Sequence, residues 1–283
     1  MRHVALPGGS LQLPVLGLGT WRMGESRASR AAEIAAVRLA LELGYRLIDT
    51  AEMYGEGGAE EVVGAALADA IRAGDVRREE VLVVSKVYPH NASRQGTAAA
   101  CDRSRKRLRL DAIDLYLLHW RGAHPLHDTV AAMHALAAAG RIRRWGVSNF
   151  DAGDLDELAA LADDCATDQV WYSLGQRGPE FDLLPKMQER AMPLMAYSPI
   201  DMGRGAADAT LAAIGAARGL SAAQVALAAV LAQPGVVAIP KAADATHLRE
   251  NLAAADITLT EDERHRIDAR FPPPTSPQPL AMN

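Results

Sequence analysis

The sequence predicts an α/β protein built as one (β/α)8 TIM barrel. Eight short apolar runs alternate with Ala- and Leu-rich segments whose apolar residues recur at helical spacing, as in Ile34, Val37 and Leu41. The 283 residues suit this architecture, since eight strand and helix units occupy about 250 residues. Polar residues follow several of the apolar runs, and a barrel of this type has its active site at the carboxyl ends of its strands.

The predicted elements divide the single domain, 1–283, into three parts. Residues 1–14 are expected to form a hairpin cap, because residues 3–14 alternate around Pro7-Gly8-Gly9-Ser10. Residues 15–254 are expected to form the barrel, with strands at 15–19, 46–49, 81–86, 113–119, 142–148, 168–172, 194–197 and 236–240. Residues 255–283 form a C-terminal segment and a short Pro-rich tail. Five prolines between residues 271 and 279 predict that this tail is extended and not helical.

A doubly wound sheet is the competing architecture. It would normally carry G-x-G-x-x-G directly after its first strand, where the third glycine lets strand and helix pack closely. Gly17 and Gly19 are followed by Arg22, and Gly55 and Gly57 are followed by Glu60. Both near-matches lack the third glycine, so any nicotinamide cofactor is expected to bind outside a Rossmann framework.

Charge and composition exclude several classes of protein. The net charge of −5 and the pI near 5.9 argue against a nucleic-acid-binding surface. One basic run contains Arg103, Arg105, Lys106, Arg107 and Arg109, and we interpret it as the solvated last turn of a helix. The sequence thus predicts no nucleic-acid partner, and we expect a monomer.

The two cysteines, Cys101 and Cys165, lack the spacing of a metal site or a disulfide framework. The N-terminus has no apolar core of signal-peptide length, and no stretch approaches the roughly twenty apolar residues that cross a bilayer. We therefore expect a cytoplasmic protein without a metal ion or a membrane partner.

Groups that can move or steer a proton follow three of the apolar runs. Asp49, Tyr54, Lys86 and His119 occur in LIDTAEMY, VLVVSK and DLYLLH. A phenol beside an ammonium group is an acid able to protonate a carbonyl. Further polar and aromatic residues follow other runs, namely Trp21, Trp120, Ser148, Asn149, Gln169, Tyr197, Ser198 and Lys241. One face of the barrel is therefore predicted to carry a site.

These residues resemble the aldo-keto reductase superfamily. The segments LIDTAEMYG, VSKV, DLYLLHW, GRIRRWGVSNF, DQVWYS, MAYSPI and AIPKA are similar to successive motifs of that family, in order, over nearly the whole chain. The segments TAEMYGEGGAEEVVG, SKVYPHNA and CATDQVWYSLGQRG are most similar to bacterial members that reduce small aldehydes such as methylglyoxal.

The resemblance implies a catalytic tetrad. In it, Tyr54 is the general acid, Lys86 is expected to lower the pKa of Tyr54, and Asp49 pairs with Lys86. His119 hydrogen-bonds the substrate oxygen. The implied cofactor is NADPH, bound by Gly19, Thr20, Trp21, Ser148, Asn149, Gln169, Tyr197, Ser198, Pro199, Ile200, Lys241, Ala242, His247, Glu250 and Asn251. Within this set, Ser148, Asn149 and Gln169 would bind the carboxamide and Tyr197 would stack on the nicotinamide.

Two departures from the family bear on cofactor choice. Ala242 stands where many members have Ser, and His247 stands where they have Arg. A fork-shaped permanent cation is thus replaced by a group that titrates near neutrality. The sequence accordingly favours NADPH while leaving NADH possible.

The implied substrate is a small carbonyl compound, bound in a pocket walled by Trp21, Tyr54, His119 and Trp120. The short tail suggests an open, permissive site. Two other functions stay open at this point. One is a Schiff-base lyase that uses Lys86 or Lys241, and the other is a nicotinamide-binding regulatory subunit that senses redox state.

Overall fold

The computed structural model describes residues 1–9 and 11–282. Its strands are β1 (His3–Ala5), β2 (Gln12–Pro14), β3 (Leu18–Gly19), β4 (Leu47–Asp49), β5 (Leu82–Val87), β6 (Ile113–Leu118), β7 (Ile142–Ser148), β8 (Asp168–Trp171), β9 (Leu194–Tyr197) and β10 (Val236–Ala238). Its α-helices are α1 (Arg30–Leu43), α2 (Gly58–Ala73), α3 (Arg94–Leu108), α4 (Leu126–Ala138), α5 (Ala152–Ala159), α6 (Leu183–Glu189), α7 (Ala209–Ala216), α8 (Ala222–Leu231), α9 (Ala245–Ala254) and α10 (Glu261–Arg270).

Strands β3 to β10 form a parallel sheet in sequence order, which confirms the predicted (β/α)8 barrel. The barrel closes where the segment around β3 meets the segment around β10. There Gly17 N donates to Ala238 O at 2.9 Å, and Gly19 N donates to Pro240 O at 3.1 Å. A Cβ atom at Gly19 would lie 2.6 Å from Ile239 O, so only glycine permits this approach.

The predicted N-terminal hairpin is confirmed and covers the amino end of the barrel. Strands β1 and β2 pair antiparallel, with Val4 opposite Leu13. Leu6 and Leu13 are buried against the side chains that fill the barrel interior, including Leu47, Leu82 and Leu115. The carboxyl end of the barrel is therefore the end left available for a site. Ser10, in the predicted turn, lies outside the described residues.

The first and last strands of the barrel, β3 and β10, are shorter than predicted. β3 begins at Leu18 instead of residue 15, because residues 15–17 join β10 only through isolated bonds. β10 ends at Ala238 instead of residue 240, and Pro240 has no N–H to extend the ladder. Two helices, α7 and α8, follow β9 where one was expected.

The basic run does end a helix, but it is not simply solvated. α3 ends at Leu108 and Arg109 caps it in the left-handed conformation. Arg103 donates to Glu52 at 2.6 Å and Arg107 donates to Glu60 at 2.6 Å, and both carboxylates are buried. The sequence-based interpretation holds for Arg103, whose side chain is 48% exposed, but it was wrong for Arg107, whose side chain is 19% exposed, since a helical repeat cannot reveal an acid supplied by another segment.

The tail is free of helix and strand over residues 272–282, as predicted. Asn283 lies outside the described residues. No helix in the described part of the chain is both long and apolar enough to cross a membrane.

Candidate active site

A cavity of about 630 Å³ opens at the carboxyl ends of the barrel strands. Asp49 is the last residue of β4, Lys86 lies near the end of β5, and His119 directly follows β6. Tyr54 begins a 3-10 turn, Tyr54–Gly57, in the loop after β4. The strand-end pattern thus brings these four side chains together on one side of the cavity.

Lys86 is fully buried and joins the other charged and phenolic groups. Its Nζ donates to Asp49 Oδ1 at 2.9 Å and Oδ2 at 2.8 Å, and to the backbone oxygen of Thr50 at 2.9 Å. The phenol oxygen of Tyr54 lies 3.3 Å from the same nitrogen. An ammonium group without water around it is therefore held between a carboxylate and a phenol.

Burial governs the pKa values of this group. Burial raises the pKa of Tyr54 well above its ordinary value, and the Asp49 carboxylate raises it further. Lys86 was expected to lower the pKa of Tyr54, but the net shift is upward, because burial and the Asp49 carboxylate both raise it. Burial also lowers the pKa of Lys86 and raises that of Asp49, while each opposite charge offsets part of the other's shift. Tyr54 therefore keeps its proton at neutral pH.

His119 is a neutral imidazole at the same end of the cavity. Burial lowers its pKa well below the ordinary value, and the Lys86 charge lowers it further. Its ring packs edge-on to Tyr54, with centroids 5.8 Å apart, and lies 4.9 Å from the Trp120 ring. Among the residues the structure describes, Nδ1 has no hydrogen-bond partner. A neutral imidazole can donate one hydrogen bond to an oxygen in the cavity.

The opposite wall is built by β7, β8 and β9. Ser148 Oγ donates to the backbone oxygen of Gln169 at 2.7 Å. Asn149 Nδ2 donates to His119 O at 3.0 Å, while its Oδ1 accepts from the Tyr197 hydroxyl at 2.9 Å. Asn149 has φ 59° and Ser198 has φ 47°, which is unusual for residues other than glycine. These contacts fix the Tyr197 ring over the cavity, in a backbone conformation that the packing must maintain.

Gln169 takes part in the buried charge cluster. Its Nε2 donates to Asp49 Oδ1 at 2.8 Å. Asp49 thus accepts from both Lys86 and Gln169, so β8 is tied directly to β4 across the barrel. The sequence had suggested only a cofactor contact for Gln169.

Most of the residues expected at the site line the cavity. The lining includes Gly19, Trp21, Asp49, Tyr54, His119, Trp120, Ser148, Asn149, Gln169, Tyr197, Ser198, Pro199, Ile200 and Lys241. Thr20 is buried behind it, where Oγ1 donates to Asp49 O at 2.9 Å. Ala242, His247, Glu250 and Asn251 follow Lys241 along the chain and are not among the described lining residues.

Several lining residues were not predicted, namely Arg22, Met53, Met202, Gly203, Ile239, Pro240 and Met282. All except Met282 adjoin strand ends or the loops after them, so the barrel rule could have found them. Met282 belongs to the tail, and nothing in its sequence indicates that the tail reaches the cavity. The tail therefore forms part of the wall instead of leaving the site fully open.

Within the described residues, no cluster of three or more His, Cys, Asp or Glu side chains could hold a metal ion. Cys101 and Cys165 are buried, free thiols.

Known proteins are similar to this chain in both sequence and fold. The model of the aldo/keto reductase family matches residues 15–270. The chain is 48% identical to methylglyoxal reductase YeaE from Escherichia coli, over 97% of this chain and 96% of that protein. It is 35% identical to a glyoxal reductase from Bacillus subtilis, over 92% of this chain and 89% of that one. A crystal structure of an aldo/keto reductase from Klebsiella pneumoniae, in complex with NADP and acetate, superposes with a TM-score of 0.94 at 45% identity, covering 100% of this chain and 99% of that one.

Proposed function

The chain belongs to the aldo/keto reductase family and is an oxidoreductase of that family, and we propose that it reduces small aldehydes and ketones to alcohols with NADPH. Methylglyoxal is the substrate we propose first, because similar proteins are named as methylglyoxal and glyoxal reductases. One observation carries the proposal. Lys86 Nζ, fully buried behind the lining residues Asp49 and Tyr54, lies 2.8 Å from Asp49 and 3.3 Å from the phenol oxygen of Tyr54.

The residues around the cavity fit a nicotinamide cofactor. The cavity extends from Tyr54 and His119 past Tyr197 to Lys241. Ser148, Asn149 and Gln169 offer hydroxyl and amide groups that suit a carboxamide, and Tyr197 offers an aromatic face. Lys241 is exposed and offers a cation for a phosphate. When bound, the reduced nicotinamide supplies a hydride for the carbonyl carbon.

Tyr54 supplies the proton in this proposal. Its O–H bond breaks as the carbonyl oxygen takes up the proton, and the product is an alcohol. The phenolate that develops is stabilised by the Lys86 ammonium, which can strengthen its contact with the phenol oxygen as the negative charge grows. Asp49 holds Lys86 through two hydrogen bonds. Neutral His119 donates to the carbonyl oxygen and orients it toward Tyr54.

The geometry supports a reductase over a Schiff-base lyase. Lys86 directs its donors at Asp49 and at Thr50 O, so its nitrogen has no lone pair directed into the cavity. An attack on a carbonyl would require Lys86 to give up this ion pair. Lys241 is exposed, so it lacks the desolvated pocket in which a lysine becomes a nucleophile.

A turnover assay tests the proposal. Purified protein mixed with NADPH and methylglyoxal should consume both in equal amounts and release the corresponding hydroxycarbonyl product. Borohydride added with substrate and no cofactor should leave no covalent adduct on Lys86 or Lys241. Absence of turnover with a panel of small aldehydes, despite NADPH binding, would instead favour the regulatory function.

A further inference from the structure

A second buried carboxylate lies behind the strand that carries Lys86. Glu60, on α2, is fully buried, and its Oε1 accepts from Ser85 Oγ at 2.5 Å. Its Oε2 accepts from Arg107 Nε, on α3, at 2.6 Å. Ser85 directly precedes Lys86 on β5. One carboxylate thus ties α2 and α3 to the strand position next to Lys86.

Arg107 also packs against the turn that carries Tyr54. Gly57 ends that turn with φ 90°, and a Cβ atom there would lie 2.7 Å from Arg107 Cζ. On another side of the turn, a Cβ atom at Gly55 would lie 2.8 Å from the backbone carbon of Gly24. The turn is therefore enclosed between the Arg107 guanidinium and the Gly24 backbone.

We propose that Arg107, acting through Glu60 and Ser85, is a positioning residue that keeps the Tyr54 turn and the Lys86 strand at the separation the reaction needs. Arg107 contacts Gly57 directly and reaches β5 through one buried carboxylate. The inference rests on the proposed function, since it concerns the distance of 3.3 Å between Lys86 Nζ and the phenol oxygen. Proton donation is sensitive to such distances, because misplacement by about 1 Å can lower a rate on the order of a hundredfold.

Glu60 also acts electrostatically on Lys86. Lys86 is faced by Asp49 from β4, by Tyr54 from the turn, by His119 after β6 and by Glu60 from α2. The Glu60 charge helps Lys86 to keep its proton, so it raises the pKa that burial lowers. Arg107, whose side chain is partly exposed, in turn compensates the charge of the fully buried Glu60.

The test uses two variants and a matched control. Arg107→Lys keeps the charge but loses the planar group that lies on Gly57, and Glu60→Gln removes the charge facing Lys86. Arg78→Lys is the control, since Arg78 also pairs with a buried acid, Asp114, at 2.7 Å, beside the start of β5 and away from the cavity. For each protein, kcat, KM, the Kd for NADPH and the melting temperature are measured.

Arg107→Lys should lower kcat roughly tenfold or more, with KM and the NADPH Kd within about twofold of wild type. Glu60→Gln should lower kcat and move the alkaline fall of its pH profile to lower pH, because Lys86 then loses its proton more easily. Arg78→Lys should keep the wild-type kcat, even if its melting temperature falls as far as that of Arg107→Lys. The inference is overturned if Arg107→Lys keeps the wild-type kcat, if Glu60→Gln keeps the wild-type kcat and pH profile, or if Arg78→Lys loses as much kcat as Arg107→Lys. A wild-type protein without turnover would overturn the proposed function and this inference together, whereas an active wild type with an equally active Arg107→Lys would overturn only this inference.

Discussion

Lys86 is completely buried in the barrel wall. Its side chain is not exposed to solvent, and the Asp49 carboxylate compensates its charge through two hydrogen bonds. Removing one partner of such a pair leaves a buried, uncompensated charge and lowers the free energy of unfolding, whereas removing both partners can leave that free energy nearly unchanged. Activity and stability can therefore be separated by experiment at this residue.

Lys86→Met should lower kcat by on the order of a hundredfold or more across the pH range, because no ammonium stabilises the developing phenolate. It should also destabilise the fold by roughly 3–5 kcal/mol, the cost of leaving Asp49 unpaired. The double variant Asp49→Asn with Lys86→Met should recover much of the stability and none of the activity. Urea unfolding and steady-state kinetics check both statements, and near-normal kcat in Lys86→Met would show that Lys86 is structural.

Asp168, in β8, is another buried acid, and it lies outside the proposed chemistry. Its Oδ1 accepts from Phe150 N at 3.4 Å, and Oδ2 has no partner among the described residues. Burial raises its pKa well above the ordinary value. Since the folded state holds a proton that the unfolded state loses above pH ~4, this group's contribution to stability falls as pH rises toward the folded pKa.

Asp168→Asn cannot lose that proton, so it should become more stable relative to wild type as the pH rises from 5 to 8. The free energy of unfolding of the variant, relative to wild type, can rise by at most about 1.4 kcal/mol per pH unit, the slope for a difference of one bound proton. Free energies of unfolding in urea at several pH values test this. A difference that does not change with pH would mean that Asp168 stays ionised in the folded protein.

At the scale of single residues, their position at or after the ends of apolar runs was enough to predict that Asp49, Tyr54, Lys86 and His119 lie close together. Glu60 could not be found in that way, because it lies inside α2 and its role depends on a partner from α3. The direction of the Tyr54 pKa shift also depends on how completely the folded chain excludes water.

At the scale of elements, we propose that the start of α9 bears on cofactor choice, because the family resemblance implies that the segment with Lys241 and His247 holds the 2′-phosphate of NADPH. Asp244 caps this helix, and its carboxylate accepts from Thr246 N at 2.8 Å and His247 N at 3.2 Å. These backbone bonds lower the pKa of Asp244, so the carboxylate is ionised at neutral pH. Next to the segment proposed for the 2′-phosphate there is thus a negative charge, and His247 stands where family members have Arg.

His247→Arg should raise the ratio of kcat/KM for NADPH over NADH about tenfold at pH 8, the size expected for one charge-assisted hydrogen bond of about 1.5 kcal/mol. The Kd values of both cofactors, from quenching of tryptophan fluorescence, should change in the same ratio. Arg249→Ala, two positions along α9, is the control and should leave the ratio unchanged. If His247→Arg has no effect on either quantity, this residue does not face the phosphate.

Helices and strands were largely predictable, because buried parallel strands give short continuous apolar runs and amphipathic helices give apolar residues at helical spacing. The ends of β3 and β10 were not, since those residues join through single bonds across the closure. The position of the tail was equally hidden, because an extended Pro-rich segment has no periodic face.

At the scale of the whole molecule, the hairpin covers one end of the barrel and the tail contributes to the other. The cavity of about 630 Å³ is bounded by Trp21, Trp120 and Met282. Part of it is needed for the nicotinamide in the proposed reaction. The remaining space suits a compact carbonyl compound better than a fused-ring ketone.

Methylglyoxal and compact aldehydes should therefore show higher kcat/KM than a steroid ketone. Trp120→Ala should narrow that difference, because it removes one wall without touching Tyr54 or Lys86. The comparison is made by steady-state kinetics with one preparation and saturating NADPH. Better efficiency with the steroid ketone in the wild type would contradict the proposed size selection.

The central claim is that Tyr54 donates the proton, and Tyr54→Phe tests it most directly because only the hydroxyl is removed. The variant should bind NADPH with a Kd within about twofold of wild type, and its kcat for methylglyoxal should fall by on the order of a thousandfold, within the range for general acid catalysis. Single-turnover measurement with NADPH already bound separates this loss from changes in binding. A variant that binds NADPH normally and retains most of the wild-type rate would contradict the assignment of Tyr54 as the acid.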